Sequence, residues 1–271
     1  MSTPPPLPDA KDIEDRLAFI TSAAQASAAV ILPYFRNRLT IDHKPGQGRF
    51  DPVTEADRAG EKMIRKMIET TYPDDAILGE EFGNTAGTSP YCWVLDPIDG
   101  TRSFISGIPL WGTLIGVLYN GNAVIGAMNQ PYIGELFLGS PQGSILLREG
   151  KKTHLETRHC TKIDQALMGS TAPEIFSKSD DINAFERIKK AVRLVRFGGD
   201  CYLYSMVAAG QLDLVVEASL EAYDITAMVP IIENAGGVIT SWEGGPANSG
   251  GRVVAAGCRE LHEAALKILQ S

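Results

Sequence analysis

Apolar residues recur at helical spacing through the first part of the chain. Ile13, Leu17, Ile20, Ala24, Ala28, Ile31, Leu32 and Phe35 share one face between Asp12 and Arg36. This predicts a long amphipathic helix, bent before Pro33, whose ring and missing N–H break the turn ahead of it. Leu39 to Lys44 reads as a short strand, and Pro45-Gly46-Gln47-Gly48 as a loop with freedom to move. Thr54 with Asp57 is a variant capping box, opening a helix from Glu55 to Thr71 with Ile64, Met67 and Ile68 facing inward.

The period then shortens. Ala76-Ile77-Leu78 is a short apolar strand running into Gly79-Glu80-Glu81, and Asn84 to Ser89 is a polar surface loop. Trp93-Val94-Leu95 is a buried strand that ends where Asp96 begins, since Pro97 cannot donate to a ladder. Thr113 to Tyr119 and Ala123 to Asn129 flank Asn120-Gly121, a hairpin signal. Glu135 to Gly139 and Ser144 to Arg148 extend an antiparallel meander, closed by Glu149-Gly150-Lys151.

From Gln165 strands alternate with helices. The strands are Ala166 to Ser170, Val195 to Phe197, Leu212 to Glu217, Val238 to Ser241 and Val253 to Ala256. The helices are Ile182 to Val192, Tyr202 to Ala209, Asp224 to Asn234 and Glu260 to Leu269. The expected organisation is a disordered Pro-rich tail (1–10), an α+β lobe (11–155) and an α/β lobe (156–271).

Composition narrows the function. The chain has 271 residues, 44% hydrophobic and 21% charged, with a formal net charge of −8 and no Lys/Arg block. Nucleic acid is a poor partner for such a surface. The four cysteines (Cys92, Cys160, Cys201, Cys258) form no CxxC pair, which fits a reduced, cytoplasmic setting. The start has no basic-then-apolar signal pattern, and no apolar run approaches the roughly 20 residues that a membrane span needs.

The chemistry lies in acids at the ends of strands and the starts of helices: Asp51, Glu80 with Glu81, Asp96 with Asp99, and Asp224. Alone, Asp51 and Asp57 read equally as solvated helix-start acids, and Glu80-Glu81 as an exposed loop. Together they form a set of oxygen donors without Cys or His, which suits Mg²⁺ rather than zinc. Asp96 and Asp99 repel each other unless a cation lies between them. Gly100 and Thr101 open a short helical segment whose free N–H groups suit a phosphate oxygen.

Three strings then carry a resemblance: Gly79-Glu80-Glu81, Asp96-Pro97-Ile98-Asp99-Gly100-Thr101, and Tyr223-Asp224 followed by Glu233-Asn234-Ala235-Gly236-Gly237. In this order and spacing the chain resembles the inositol monophosphatase family of Mg²⁺-dependent, lithium-sensitive phosphatases. The resemblance implies a layered α-β-α-β-α sandwich, usually a homodimer, with two or three Mg²⁺ ions per site and Mn²⁺ as a possible substitute. It implies that Glu80, Asp96 and the Ile98 carbonyl hold one ion, and Asp96, Asp99 and Asp224 a second. Glu80 and Thr101 would orient the attacking water, with Asp51 pairing to Thr101. The N–H groups of Gly100 and Thr101 would hold phosphate, and Glu81 would support the metal cluster from behind or stand as a plain surface charge.

Two departures point within that family. Arg102-Ser103-Phe104 follows the glycine where many members carry an asparagine, and Tyr223-Asp224 replaces Trp-Asp. With Phe197-Gly198-Gly199-Asp200-Cys201-Tyr202 and Leu214 to Glu217, these resemble the histidinol-phosphatase branch, implying a substrate pocket at Gly199, Asp200, Cys201, Glu217 and Asp224. Two acids, Asp200 and Glu217, suit a cationic alcohol better than a neutral polyol. Asp200 reads alternatively as a helix N-cap, and Glu217 as an exposed strand-end acid. Arg102 reads as a salt-bridge partner, and His43, His154, His159 and His262 as surface residues. The expected reaction is hydrolysis of L-histidinol phosphate to L-histidinol and phosphate, a step of histidine biosynthesis. The alternatives are an inositol-1-phosphatase or broad phosphomonoesterase and, further off, a regulatory protein that binds RNA polymerase.

Overall fold

The computed structural model describes residues 7–37, 41–43 and 52–271. Asp51, the 45–48 loop and most of the N-terminal tail lie outside the described residues. The Asp9 carboxylate accepts from the Asp12 N–H at 2.9 Å and starts α1 (Ala10–Ile31). The helix tightens into a 3₁₀ turn, Leu32–Tyr34, at Pro33, as proline chemistry requires. By length and composition this helix does reach the range of a membrane span, contrary to the expectation above. Here Ile13, Ile20, Ala23 and Ala24 are instead buried in a shared core with the helix and sheet beside it.

Short strands β1 (Ile41–His43) and β2 (Pro52–Thr54) pair antiparallel. Helix α2 (Glu55–Thr71) opens with the predicted capping box: the Asp57 carboxylate accepts from the Thr54 N–H at 2.8 Å and its hydroxyl at 2.6 Å. Asp57 is buried, not solvated, because the box turns it under the helix.

An eight-stranded sheet follows. Its strands are β3 (Ala76–Gly79), β4 (Gly83–Thr85), β5 (Tyr91–Asp99), β6 (Gly112–Tyr119), β7 (Asn122–Gln130), β8 (Glu135–Ser140), β9 (Gly143–Arg148) and β10 (Lys151–His154). They lie in the order β10-β9-β8-β7-β6-β5-β3-β4, and only β3 and β5 run parallel. β4 overlaps the start of the stretch expected as a loop, at Asn84 and Thr85. Helix α3 (Thr101–Ile105) leaves the end of β5.

The second sheet contains β11 (Leu167–Ser170), β12 (Leu194–Phe197), β13 (Leu214–Leu220), β14 (Val238–Ser241) and β15 (Gly251–Ala256), ordered β12-β11-β13-β15-β14. Its helices are α4 (Ser179–Ala191), α5 (Asp200–Ala208), α6 (Ala222–Ile225), α7 (Met228–Glu233) and α8 (Arg259–Leu269). Three apolar cores separate the layers. One joins α1 and α2 to the large sheet, a second joins both sheets through α5 and α7, and a third joins the small sheet to α4 and α8. The order is therefore α-β-α-β-α, as the resemblance implied.

Three other elements depart from the sequence pattern. β5 does not stop at Asp96: it continues through Pro97 to Asp99 over a β-bulge, with Asp96 opposite Leu114 and Asp99 opposite Gly112. A bulge is where a sheet tolerates a residue without an N–H. β13 likewise runs past Glu217 to Leu220, with a register shift and a left-handed Ser219 (φ 63°). The helix expected from Asp224 to Asn234 is two helices, parted at Thr226-Ala227. Pro230 has no N–H for the Thr226 carbonyl one turn back, so the break falls there.

The middle layer rests on glycines. Gly116, Gly126 and Gly139 are cross-strand neighbours on β6, β7 and β8. A Cβ at Gly126 would lie 1.9 Å from the Ala227 carbonyl oxygen, and one at Gly139 would lie 2.4 Å from the Ile231 backbone. The backbone of 226–231 therefore sits directly on the sheet, which sets the height of α6 and Asp224.

Candidate active site

The parallel register of β3 and β5 begins the site. Gly79 lies opposite Leu95, and the Glu80 N–H donates to the Leu95 carbonyl at 3.1 Å. Glu80 and Asp96 thus leave neighbouring strands at the same level, where ligand sites gather in layered folds. The bulge brings Asp99 round to the same side. The capping box of α6 supplies the last acid, with the Asp224 carboxylate accepting from the Glu221 N–H at 2.8 Å.

One carboxylate oxygen each from Asp96, Asp99 and Asp224 lies within 4.8 Å of the others. Backbone amides fix the acids: Asp96 accepts from the Ile98 N–H at 3.0 Å, and Asp99 from the Cys201 N–H at 2.6 Å. Burial and then repulsion from Glu80, Asp99 and Asp224 hold the Asp96 carboxyl well above the usual range. Burial and then Asp200 and Asp224 do the same to Asp99. Asp224 is pushed up to about 8, mainly by burial and in part by the charge on Glu80. The donors are hard oxygens, held close against their own repulsion. That chemistry fits a divalent cation such as Mg²⁺.

These acids floor a cavity of about 240 Å³. Glu80, Ile98, Gly100, Thr101, Asp200, Cys201 and Glu217 also line it. Gly100 sits at φ 85°, and a Cβ there would stand 2.9 Å from the Asp200 carboxylate and 3.0 Å from the Leu110 carbonyl, so only glycine fits. The Thr101 hydroxyl donates to the Ile98 carbonyl at 3.0 Å. Its expected partner Asp51 lies outside the described residues.

Two further acids, Asp200 and Glu217, line the same cavity. Asp200 is the first residue of α5 and not its N-cap; Gly199 caps the helix, without a side-chain bond. Asp200 has φ 44°, a left-handed conformation that costs a non-glycine residue about 1 kcal/mol. Its carboxyl is raised to about 6 by burial, against the Ser103 hydroxyl and the Arg102 charge that lower it. Glu217 is fully buried rather than exposed at a strand end. It accepts from the Thr171 N–H at 2.7 Å and the Tyr204 hydroxyl at 3.1 Å, and burial lifts it to about 7.

Other expected residues fall differently. Gly199 packs on Leu203 and does not line the cavity. Cys201 reaches the carboxylate cluster through its N–H, which donates to Asp99. His262 is buried and hydrogen-bonded to the Thr240 hydroxyl at 2.8 Å, so it is no surface residue; the inward face of α8 claims it. His154 and His159 are exposed, and the His43 side chain lies outside the described ones.

Glu61 is the residue that sequence reasoning missed. It is fully buried on α2, and its carboxylate accepts from the Glu81 N–H at 2.7 Å, the Phe82 N–H at 3.2 Å and Arg65 Nε at 2.7 Å. It thereby ties down the turn that carries Glu80 and the half-buried Glu81. A signal was present: Glu61 shares the apolar stripe of Ile64 and Ile68, an odd place for an uncommitted acid.

The likenesses to known proteins agree with this geometry. The sequence model of the inositol monophosphatase family matches residues 12–271. The chain is 40% identical to the bifunctional phosphatase IMPL2, chloroplastic, of Arabidopsis thaliana, over 94% of this chain and 75% of that one. It is 33% identical to a histidinol-phosphatase of Chlorobaculum parvum, over 82% and 83% of the two chains. The solved inositol monophosphatase of Zymomonas mobilis superposes with a TM-score of 0.85 at 37% identity, covering 97% of this chain and 100% of that one. Sequence, layers and converging acids lead to one assignment: this chain belongs to the inositol monophosphatase family and is a phosphatase.

Proposed function

We propose that this phosphatase hydrolyses L-histidinol phosphate to L-histidinol and phosphate. The observation that carries the reading is the pair Asp200 and Glu217 in the wall of the cavity that Asp96, Asp99 and Asp224 floor. Histidinol phosphate carries an ammonium and an imidazole, and the half-buried Asp200 and buried Glu217 offer them charge-assisted hydrogen bonds. A neutral polyol has no such charge to give. The relatives named histidinol-phosphatase support the same substrate.

Glu80, Asp96 and the Ile98 carbonyl would hold one Mg²⁺, and Asp96, Asp99 and Asp224 a second. Such ions lower the pKa of a bound water and neutralise a leaving alkoxide. Glu80 and Thr101 would orient the attacking water, and the family resemblance gives Asp51 the role of Thr101's partner. Gly100 and Thr101 hold phosphate oxygens through their N–H groups, and Glu81 supports the turn behind Glu80. The reading includes a cytoplasmic homodimer, lithium sensitivity and Mn²⁺ as a substitute metal, as the family resemblance implies.

The test is a substrate panel with Mg²⁺. Phosphate release from histidinol phosphate is expected to exceed that from inositol 1-phosphate by well over an order of magnitude in kcat/KM; equal or reversed rates overturn the reading. Asp200→Thr is expected to lose that preference more than it loses total activity. The second reading, an inositol monophosphatase, is favoured by the likeness to the Zymomonas mobilis enzyme, and the same panel decides it.

A further inference from the structure

A second group of ligating side chains converges away from the carboxylate basin. His159 lies on the segment between β10 and β11, and Cys258 and Glu260 lie where α8 begins. One donor atom from each falls within 4.8 Å of the other two. Nε2 of His159 stands 3.6 Å from the Glu260 carboxylate. Two ligands of one tetrahedral Zn²⁺, at bonds of about 2.0–2.1 Å, stand about 3.4 Å apart, so this pair is already near ligand spacing.

The three groups form a floor and a rim. The Cys258 thiol is buried, with its Sγ–H donating to the Cys160 carbonyl at 3.1 Å. The side chains of His159 and Glu260 are 70% and 58% exposed, so an ion can enter from solvent. The N–H groups of Glu260 and Leu261, at the start of α8, face the sulfur. Burial pushes the thiol up and these N–H groups oppose it, so the thiolate that ligates metal forms as the ion binds. A thiolate, an imidazole and a carboxylate are a softer set than the oxygen-only basin, and select a different class of ion.

We propose that His159, Cys258 and Glu260 form a second metal site, for a borderline-soft divalent transition ion such as Zn²⁺, with water completing the tetrahedron. Binding releases the thiol proton that Cys258 now directs at Cys160. The ion ties the segment between the two sheets to the start of α8. None of its three ligands lines the catalytic cavity, so this ion takes no part in the hydrolysis.

Co²⁺ serves as the spectroscopic probe, titrated into the full chain in excess Mg²⁺. Cysteinate ligation produces an intense sulfur-to-cobalt charge-transfer band that carboxylates cannot produce. A band saturating at a single Co²⁺ per chain is expected, displaced by Zn²⁺ and lost in Cys258→Ser. His159→Ala, a change at an exposed side chain, is expected to weaken Co²⁺ binding by about tenfold or more, and keeps the test readable if the cysteine variant does not fold. Mg²⁺-dependent phosphatase activity is expected to be unchanged in both. Absence of the band overturns the proposal. So does a band indifferent to His159→Ala, or one lost in Cys201→Ser, which would place the sulfur at the catalytic basin instead.

Discussion

At the scale of single residues, the site is a set of like charges that the fold forces together. Asp96 shows the cost most clearly, since it is buried beside Glu80, Asp99 and Asp224. Asp96→Asn keeps the acceptor for the Ile98 N–H and removes one charge. It is expected to abolish Mg²⁺-dependent turnover while raising the melting temperature of the metal-free protein by about 2–4 °C at alkaline pH, where the acids are ionised, for about 1 kcal/mol of relieved repulsion. Calorimetry in chelator reads the second effect; an unchanged or lower value would mean that the repulsion is already relaxed. Glu217→Gln keeps the shape and the Thr171 contact. It is expected to raise KM for a cationic substrate by about tenfold, the effect of about 1.4 kcal/mol, with little change for a neutral phosphomonoester.

At the scale of elements, two packing devices set where the acids stand. The first is Glu61 on α2, which binds the amides of Glu81 and Phe82 and so fixes the end of β3. Glu61→Gln is expected to weaken Mg²⁺ binding about tenfold in a calorimetric titration, as loss of an outer partner of a metal ligand does. The second is the glycine row under α7. Gly126→Ala places a methyl against the Ala227 carbonyl and is expected to destabilise by about 3 kcal/mol, measured by urea unfolding. Its Mg²⁺ requirement should rise as well, because Asp224 lies on α6, which ends just before the Ala227 backbone that must lift.

At the scale of the whole molecule, the raised carboxyls link protonation to stability. Asp224 titrates near 8 in the fold, Asp57 and Glu217 near 7, and Asp200 near 6, against ordinary values of 3.8 for aspartate and 4.5 for glutamate. Between about pH 4 and pH 8 the folded chain therefore holds more protons than the unfolded one. Stability of the metal-free protein must fall as pH rises through that window. Mg²⁺ should restore it, most strongly at the alkaline end, where the acids are ionised. Melting curves at several pH values, with and without Mg²⁺, check both signs; metal-free stability that grows toward pH 8 would contradict the burial of these groups.

Elements set by local chemistry were legible along the chain. The Asn120-Gly121 hairpin, the capping box of α2 and the halt of α1 at Pro33 each depend on residues a few positions apart. So did the acidic strings, because each lies within one turn. What the chain alone did not disclose depends on distant partners. The bulge that carries β5 past Pro97 is a matter of its pairing with β6. The burial of Glu217, Asp57 and His262 is decided by what covers them. Glu61 and the glycine row act on backbone contributed by other segments. Local sequence determined which residues can bind a cation, cap a helix or turn a strand. Only tertiary packing decided which acids meet, because their convergence depends on strand register and on how closely two backbones can approach.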